Sequence, residues 1–227
     1  MSRLTAAVAA ALVATPALAA GDEGTGRASG VYLRGAGGVA FGETLEQNLS
    51  YNPAVVFVTP PATAKTTDLG DGLAIAAAIG FQYARTRTEL EYRRMKASID
   101  ALAYSGGAAP AATPVNDDLV AQALMSNVYF DFVNSAPLTP YVGLGVGGAR
   151  VENELGERDA AFAYQGRAGI EVALGDRFSI GAEYVYFRTL DLSYGPKDFT
   201  AAGPAGPRTD GDPFVSSSVM GTLRAVF

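Results

Sequence analysis

The sequence predicts an all-β protein, an eight-stranded antiparallel up-and-down barrel, and three features carry that expectation. First, from Gly30 onward, segments of about ten to fifteen residues alternate apolar with small or polar side chains, and a period of two is the mark of a strand. Second, eight such segments occur, at about 30–42, 72–84, 87–98, 119–133, 139–151, 161–174, 178–190 and 214–227. Third, their connections alternate in size. Arg85-Thr86, Asn134–Leu138 and Gly175-Asp176-Arg177 are short enough for hairpins, whereas Glu43–Asp71, Ile99–Asp118, Glu152–Ala160 and Asp191–Pro213 are long, acidic and rich in Pro, Gly and Ala. One end of the sheet therefore carries tight turns and the other carries long loops.

Taken from the start of the chain, residues 1–20 (MSRLTAAVAAALVATPALAA) read as a secretory signal peptide. Arg3 supplies the early cation, Leu4 to about Val13 the apolar run, and Ala17 and Ala19 the small-residue cleavage pattern, with cleavage expected after Ala19 or Ala20. The run is shorter than the ~20 residues a membrane-spanning helix needs. Residues 21–29 are expected to form a short periplasmic segment, and 30–227 the barrel.

Each strand can then be sorted into two faces. In the second, Leu73, Ile75, Ala77, Ile79, Phe81 and Tyr83 oppose Ala74, Ala76, Ala78, Gly80 and Gln82. In the sixth, Gly166, Ala168, Ile170, Val172 and Leu174 oppose Gln165, Arg167, Gly169, Glu171 and Ala173. In the last, Val215 to Phe227 in steps of two is mostly apolar, against Ser216, Ser218, Met220, Thr222 and Arg224. One face suits lipid and the other is polar. Strands in lipid must close on themselves, because an open edge leaves backbone groups unsatisfied. Short turns at one end, long loops at the other and an even strand number fit a transmembrane barrel.

The composition narrows the function. A net charge of −6 and a pI near 4.7 exclude a nucleic-acid partner, which requires clustered Lys and Arg. Cysteine is absent, so no disulfide supports this exported chain. Histidine is absent as well, which leaves Ser216–Ser218 without the usual base for hydrolysis. No catalytic residue, metal ligand or cofactor is expected. GAGGVA (Gly35–Ala40) and GLGVGG (Gly143–Gly148) match a dinucleotide-binding spacing, but no helix and acidic strand end follow as that site requires, so both read as bare strand surface.

Arginine facing lipid at the bilayer midplane costs ~2–4 kcal/mol, so mid-strand charges should point inward. On the alternation, Arg34, Glu89, Glu91, Arg93, Asp131, Arg167, Glu171, Glu183 and Arg224 do. An eight-stranded barrel is only wide enough for its side chains to fill it, and Gly143, Gly145 and Gly147 would leave room for long ones opposite. These charges read as a structural ion-pair plug; the competing readings are a gated pore or a carboxylate pair at Glu89 and Glu91. Arg94 and Lys96 break the pattern by facing outward, which a register bulge or contacts to lipopolysaccharide phosphates would each explain. Twelve aromatics near strand ends, Tyr32, Phe41, Phe81, Tyr83, Tyr92, Phe130, Phe132, Tyr141, Phe178, Tyr186, Phe214 and Phe227, are expected to form interfacial girdles.

The run NVYFDF (Asn127–Phe132), then PYVGLGVGGARV (Pro140–Val151), FAYQGRAGIEVAL and a last strand ending in Phe227 resembles the OmpA-like and opacity-protein family of small outer-membrane β-barrels. The resemblance implies a non-enzymatic protein of the cell outer membrane, in contact with its lipid and lipopolysaccharide. It implies further that Phe227 is a signal read by the barrel-assembly machinery, and that loops 43–71, 99–118, 152–160 and 191–213 carry any contact with a host or surface partner. Envelope integrity or surface interaction is the expected role, and a narrow cation-preferring pore is the alternative. A soluble exported barrel of the lipocalin kind, with its apolar face inward, is the rival from another class.

Overall fold

A computed structural model describes residues 29–110, 113–134, 136–152, 158–194 and 207–227. The expected signal peptide and most of the segment after it lie outside the described residues. Among the described residues nine strands are formed: β1 (Gly30–Gly42), β2 (Leu45–Ser50), β3 (Ala64–Tyr83), β4 (Thr86–Ser105), β5 (Thr113–Asp131), β6 (Leu138–Glu152), β7 (Arg158–Leu174), β8 (Phe178–Tyr194) and β9 (Arg208–Val226). Every pairing is antiparallel. From β3 to β9 each strand pairs with the next in the chain, and β1 pairs with both β3 and β9, closing the sheet.

β1 and β2 are one barrel strand interrupted at Glu43-Thr44. Phe41 stands opposite Asp71 and Leu45 opposite Thr67, four residues on in each strand, so the register against β3 is unchanged across the break. Against β9 it is unchanged as well, with Gly42 opposite Ser216 and Gln47 opposite Gly211. The barrel is therefore eight-stranded and antiparallel, as the alternation predicts.

The strands reach farther than predicted on the side of the long connections. β3 begins at Ala64 rather than 72, β4 runs to Ser105, β5 begins at Thr113, β8 runs to Tyr194 and β9 begins at Arg208. Parts of the expected loops 43–71, 99–118, 152–160 and 191–213 are thus sheet. At 17–20 residues for β3, β4 and β8, these strands exceed the ~9–11 that cross a bilayer. The irregularities lie at one level: the β1/β2 break, shifts between Asp68 and Gly72 on β3, between Ile99 and Ala101 on β4, and between Arg188 and Leu192 on β8. A bulge adds a residue to one strand and flips the faces beyond it. A collar of bulges divides a lower barrel from an upper extension, and it is where the alternation stops being readable.

At the other end the connections are tight. The β3–β4 turn is Ala84-Arg85, one residue earlier than expected, with Ala84 at φ 51° and Thr86 Oγ1 donating to Tyr83 O at 3.0 Å. Gly175 takes φ 81° between β7 and β8, where a residue without Cβ adopts the left-handed region freely. Asn134 Oδ1 accepts from the Ala136 amide at 2.8 Å between β5 and β6.

The outer wall of the lower barrel is apolar and the wall's inner face is packed shut. Val31, Leu33, Leu73, Ile75, Ile79 and Leu144 all point outward and are exposed. So continuous an apolar belt in water would be an aggregation surface, and in lipid it is the required one.

Candidate functional site

All nine charged residues assigned to the lumen are buried inside the barrel, each no more than 6 % exposed. Lys65, in the extension above, is buried as well at 7 % exposure, and in the lower barrel one charge joins the nine, Arg87, which is 2 % exposed. With it, five arginines face five carboxylates.

They form two groups. In the upper one, Arg34 of β1 and Arg167 of β7 converge on Glu89 and Glu91 of β4 and Glu183 of β8. Arg34 Nη2 lies 2.7 Å from Glu89 Oε1, its Nη1 is 2.8 Å from Glu183 Oε1, and it also pairs with Glu91. Arg167 Nη1 lies 2.6 Å from Glu91 Oε2 and 3.2 Å from Glu89 Oε1, and its Nη2 is 3.0 Å from Glu183 Oε1. In the lower group Arg87 pairs with Asp131 at 2.8 Å and with Glu171 at 3.3 Å, and Arg224 pairs with Glu171. Arg93 stands above both groups and donates to Ser218, while its Nε and Nη1 meet no acceptor among the described residues. Such buried donors are places for bound water.

Neutral side chains complete the packing. Tyr32 donates to Glu89 at 3.2 Å, Tyr141 to Glu183 at 3.1 Å, Asn127 to Glu89 at 3.1 Å, and Gln165 to Asn127 at 2.7 Å. The Arg87 guanidinium lies over the Tyr141 ring at 4.6 Å and that of Arg224 over Tyr32 at 5.3 Å. The glycines of β6 give these groups their space. A Cβ at Gly143 would strike the Tyr129 ring, one at Gly145 would strike Asn127 and Gln165, and one at Gly147 would meet β5 at Leu124 and Met125.

Three residues expected in the girdles are inside instead. Tyr32, Tyr141 and Phe214 are all at most 3 % exposed. Each shares strand parity with a lumen residue, respectively Arg34, Gly143 and Ser216, and parity outranks nearness to a strand end. The other nine face outward: eight, among them Phe41, Phe81, Tyr92 and Phe130, are exposed, and Tyr186 is half-buried between inward Val185 and Phe187.

Above the charges the lumen turns apolar. Met95, Ile99, Leu119, Met125, Phe187 and Phe214 form a continuous buried cluster with Leu192, Met220 and several alanines. On β5 the inward Leu119, Ala121, Ala123 and Met125 alternate with outward Val120, Gln122 and Leu124, so Gln122 alone distinguishes the outer face by polarity and this second layer is hard to read from the pattern.

No free acid or base emerges from this geometry. Glu89 and Glu91 each accept from Arg34 and Arg167, which neutralises the suggested carboxylate pair. Ser217 faces outward against Tyr184, 2.7 Å between their hydroxyl oxygens, while Ser218 accepts from Arg93. Both glycine motifs lie within strands β1 and β6, with no helix N-terminus to hold a phosphate. Among the described residues no cluster of three or more metal-ligating side chains occurs.

The register also settles Arg94 and Lys96. Pairing runs unbroken from Thr86 to Ala97 against both β3 and β5, so no bulge lies at either residue. Both face outward because the strand's regular alternation puts them there, and Lys96 Nζ pairs with Asp118 at 2.5 Å.

A closed sheet with charges inside, lipid-compatible residues outside, hairpins at one end and loops at the other defines an integral outer-membrane β-barrel. It is the inverse of a lipocalin, whose apolar face lines the interior. The chain belongs to the surface antigen family, whose model matches residues 71–204, more than half of the sequence. Among solved structures it is similar to the outer membrane protein OprG from Pseudomonas aeruginosa, at 15 % identity and a TM-score of 0.54. It is likewise similar to Neisserial surface protein A, at 14 % identity and a TM-score of 0.51. Each alignment covers 88 % of this chain and 98 % of the other. At such identity the likeness carries the fold alone. A search of curated proteins gives no match.

Proposed function

We propose that this barrel is a non-enzymatic component of the outer membrane that serves envelope integrity or surface interaction, and that its lumen is a plug rather than a conduit. One observation carries the reading: four arginines and five carboxylates are interlocked by buried ion pairs beneath an apolar layer. A buried cation and anion held by several hydrogen bonds each are costly to separate, which suits a scaffold and not a channel. In this reading the cleaved 1–20 segment exports the chain, and Phe227 is the residue read by the barrel-assembly machinery. Phe227 is exposed, while its amide donates to Val31 O at 2.9 Å across the β9–β1 seam, which suits both roles expected of it.

Surface interaction is supported by the loop between β2 and β3. Its base is held by Ala108 N to Pro60 O at 2.7 Å and Thr63 N to Ser105 O at 2.8 Å, and Tyr51 meets Phe57 edge to face with centroids 5.2 Å apart. Its tip is apolar and open, with Val56 and Val58 almost wholly exposed. The base packs on the neighbouring β4–β5 loop, whereas the apolar stretch at Val56 and Val58 stands free of it.

A narrow cation-preferring pore is the second reading, favoured by Arg93 and Arg167 nitrogens that have no hydrogen-bond partner among the described residues and by the acidic loops. Planar-bilayer recording separates the two. Silence from the purified protein supports the plug, and steady cation-selective conductance of porin size overturns it in favour of the pore.

A further inference from the structure

We propose that Arg94 and Arg150, with Gln122 between them, form a clamp on the outer wall for the phosphate of a phosphorylated lipid in the outer leaflet. Arg94 of β4 stands opposite Gln122 of β5, and Gln122 opposite Arg150 of β6, so the three make one cross-strand row. All three are exposed on the lipid-facing side. Two strand spacings put the arginine backbones about 10 Å apart, a gap their side chains close from both sides onto one phosphate.

Depth and surroundings point to the same ligand. With ~3.3 Å of rise per residue and a tilt of ~40°, Arg94 lies about 20 Å above the periplasmic end of β4, near the upper edge of an apolar band ~25 Å tall. The row immediately below on the same strands is Tyr92, Leu124, Gly148 and Phe162, whose three larger side chains are exposed. Cations thus sit directly above an apolar strip, the order in which a lipid presents phosphate and acyl chain. The groups above are already engaged: Lys96 is paired with Asp118, and half-buried Glu152 has a contact of its own. Neither Arg94 nor Arg150 has a hydrogen-bond or ion-pair partner among the described residues. Across these five residues the cations exceed the acids by one, which an anion complements. The inference rests on the orientation with the long loops outside.

The test reconstitutes the full barrel in bilayers of phosphatidylcholine doped with either phosphatidic acid or lipid A, and reads the lipids retained by native mass spectrometry. The wild type is expected to retain the phosphorylated lipid over phosphatidylcholine, and R94Q/R150Q to lose about 10- to 30-fold of that preference. R94K/R150K, which keeps charge but loses the planar fork, is expected to fall between them. R85Q/R177Q, at the opposite rim, is expected to match the wild type. Heat-modifiable migration confirms that each variant is folded, so failure of the clamp is distinct from failure of the barrel. Equal retention by R94Q/R150Q and wild type overturns the clamp, as does an equal loss in R85Q/R177Q. Competition by millimolar inorganic phosphate as effective as the lipid itself would assign the site to free anion and overturn the lipid.

Discussion

Replacing Arg167 with methionine removes a charge while keeping most of the side-chain stem, and it isolates what the plug contributes to stability. Arg167 is shared by three carboxylates, Glu91 at 2.6 Å, Glu183 at 3.0 Å and Glu89 at 3.2 Å, none of them exposed to solvent. Without it Arg34 remains the sole cation paired with all three. Removing one member of a buried pair typically costs ~3–5 kcal/mol, which lowers the folding equilibrium constant between about 10² and 10⁴-fold. The sequence contains no tryptophan, so urea unfolding in lipid vesicles is best followed by the gel shift between folded and boiled forms. R167M is expected to unfold at markedly lower urea. Adding Glu91→Gln should restore at least ~1 kcal/mol of the loss, since the two changes share one contact. A destabilisation under ~1 kcal/mol in R167M, or strictly additive effects in the pair, would refute the account of the lumen as an interlocked network. R167A, which also leaves space, is expected to give small cation-selective openings in planar bilayers where the wild type is silent.

Three other outcomes follow from particular contacts. Gly145→Val should destabilise the barrel by ~1–3 kcal/mol, because its Cβ would occupy the place of Asn127 and the Gln165 stem; an unchanged unfolding midpoint would show that β6 does not need its bare face. Deleting Phe227, or changing it to Asp, should reduce folded protein in the outer membrane and increase its degradation in the periplasm, as read by surface labelling and immunoblot. Because the natural sequence has no cysteine, single cysteines report the loop cleanly: V58C should react with an impermeant maleimide on intact cells and A62C, which is buried, should not.

Much of this protein was legible in one dimension because a strand's side chains alternate by a rule that needs no partner. Period two identified the eight barrel strands and named nine of the ten charges buried in the lower barrel; the same parity, applied to Tyr32, Tyr141 and Phe214, places them inside without any coordinates. Tight turns and long connections set the two ends of the barrel apart for the same local reason. Three things required the tertiary structure. The strand extensions were hidden because bulges between Asp68 and Gly72, at Ile99 and beyond Arg188 shift the period, and only pairing partners hold such strands in place. The upper apolar layer was hidden because mid-strand charges mark the lumen lower down, whereas here the inward side chains are apolar and the polar ones, Arg94, Lys96, Gln122 and Arg150, face outward. Arg87 shares the parity of Glu89 and Glu91, so alternation alone places it inside, but its pairing with Asp131 and Glu171 is set by register, and Arg94 and Arg150 become one feature only through Gln122, since neighbours across strands are not set by sequence distance.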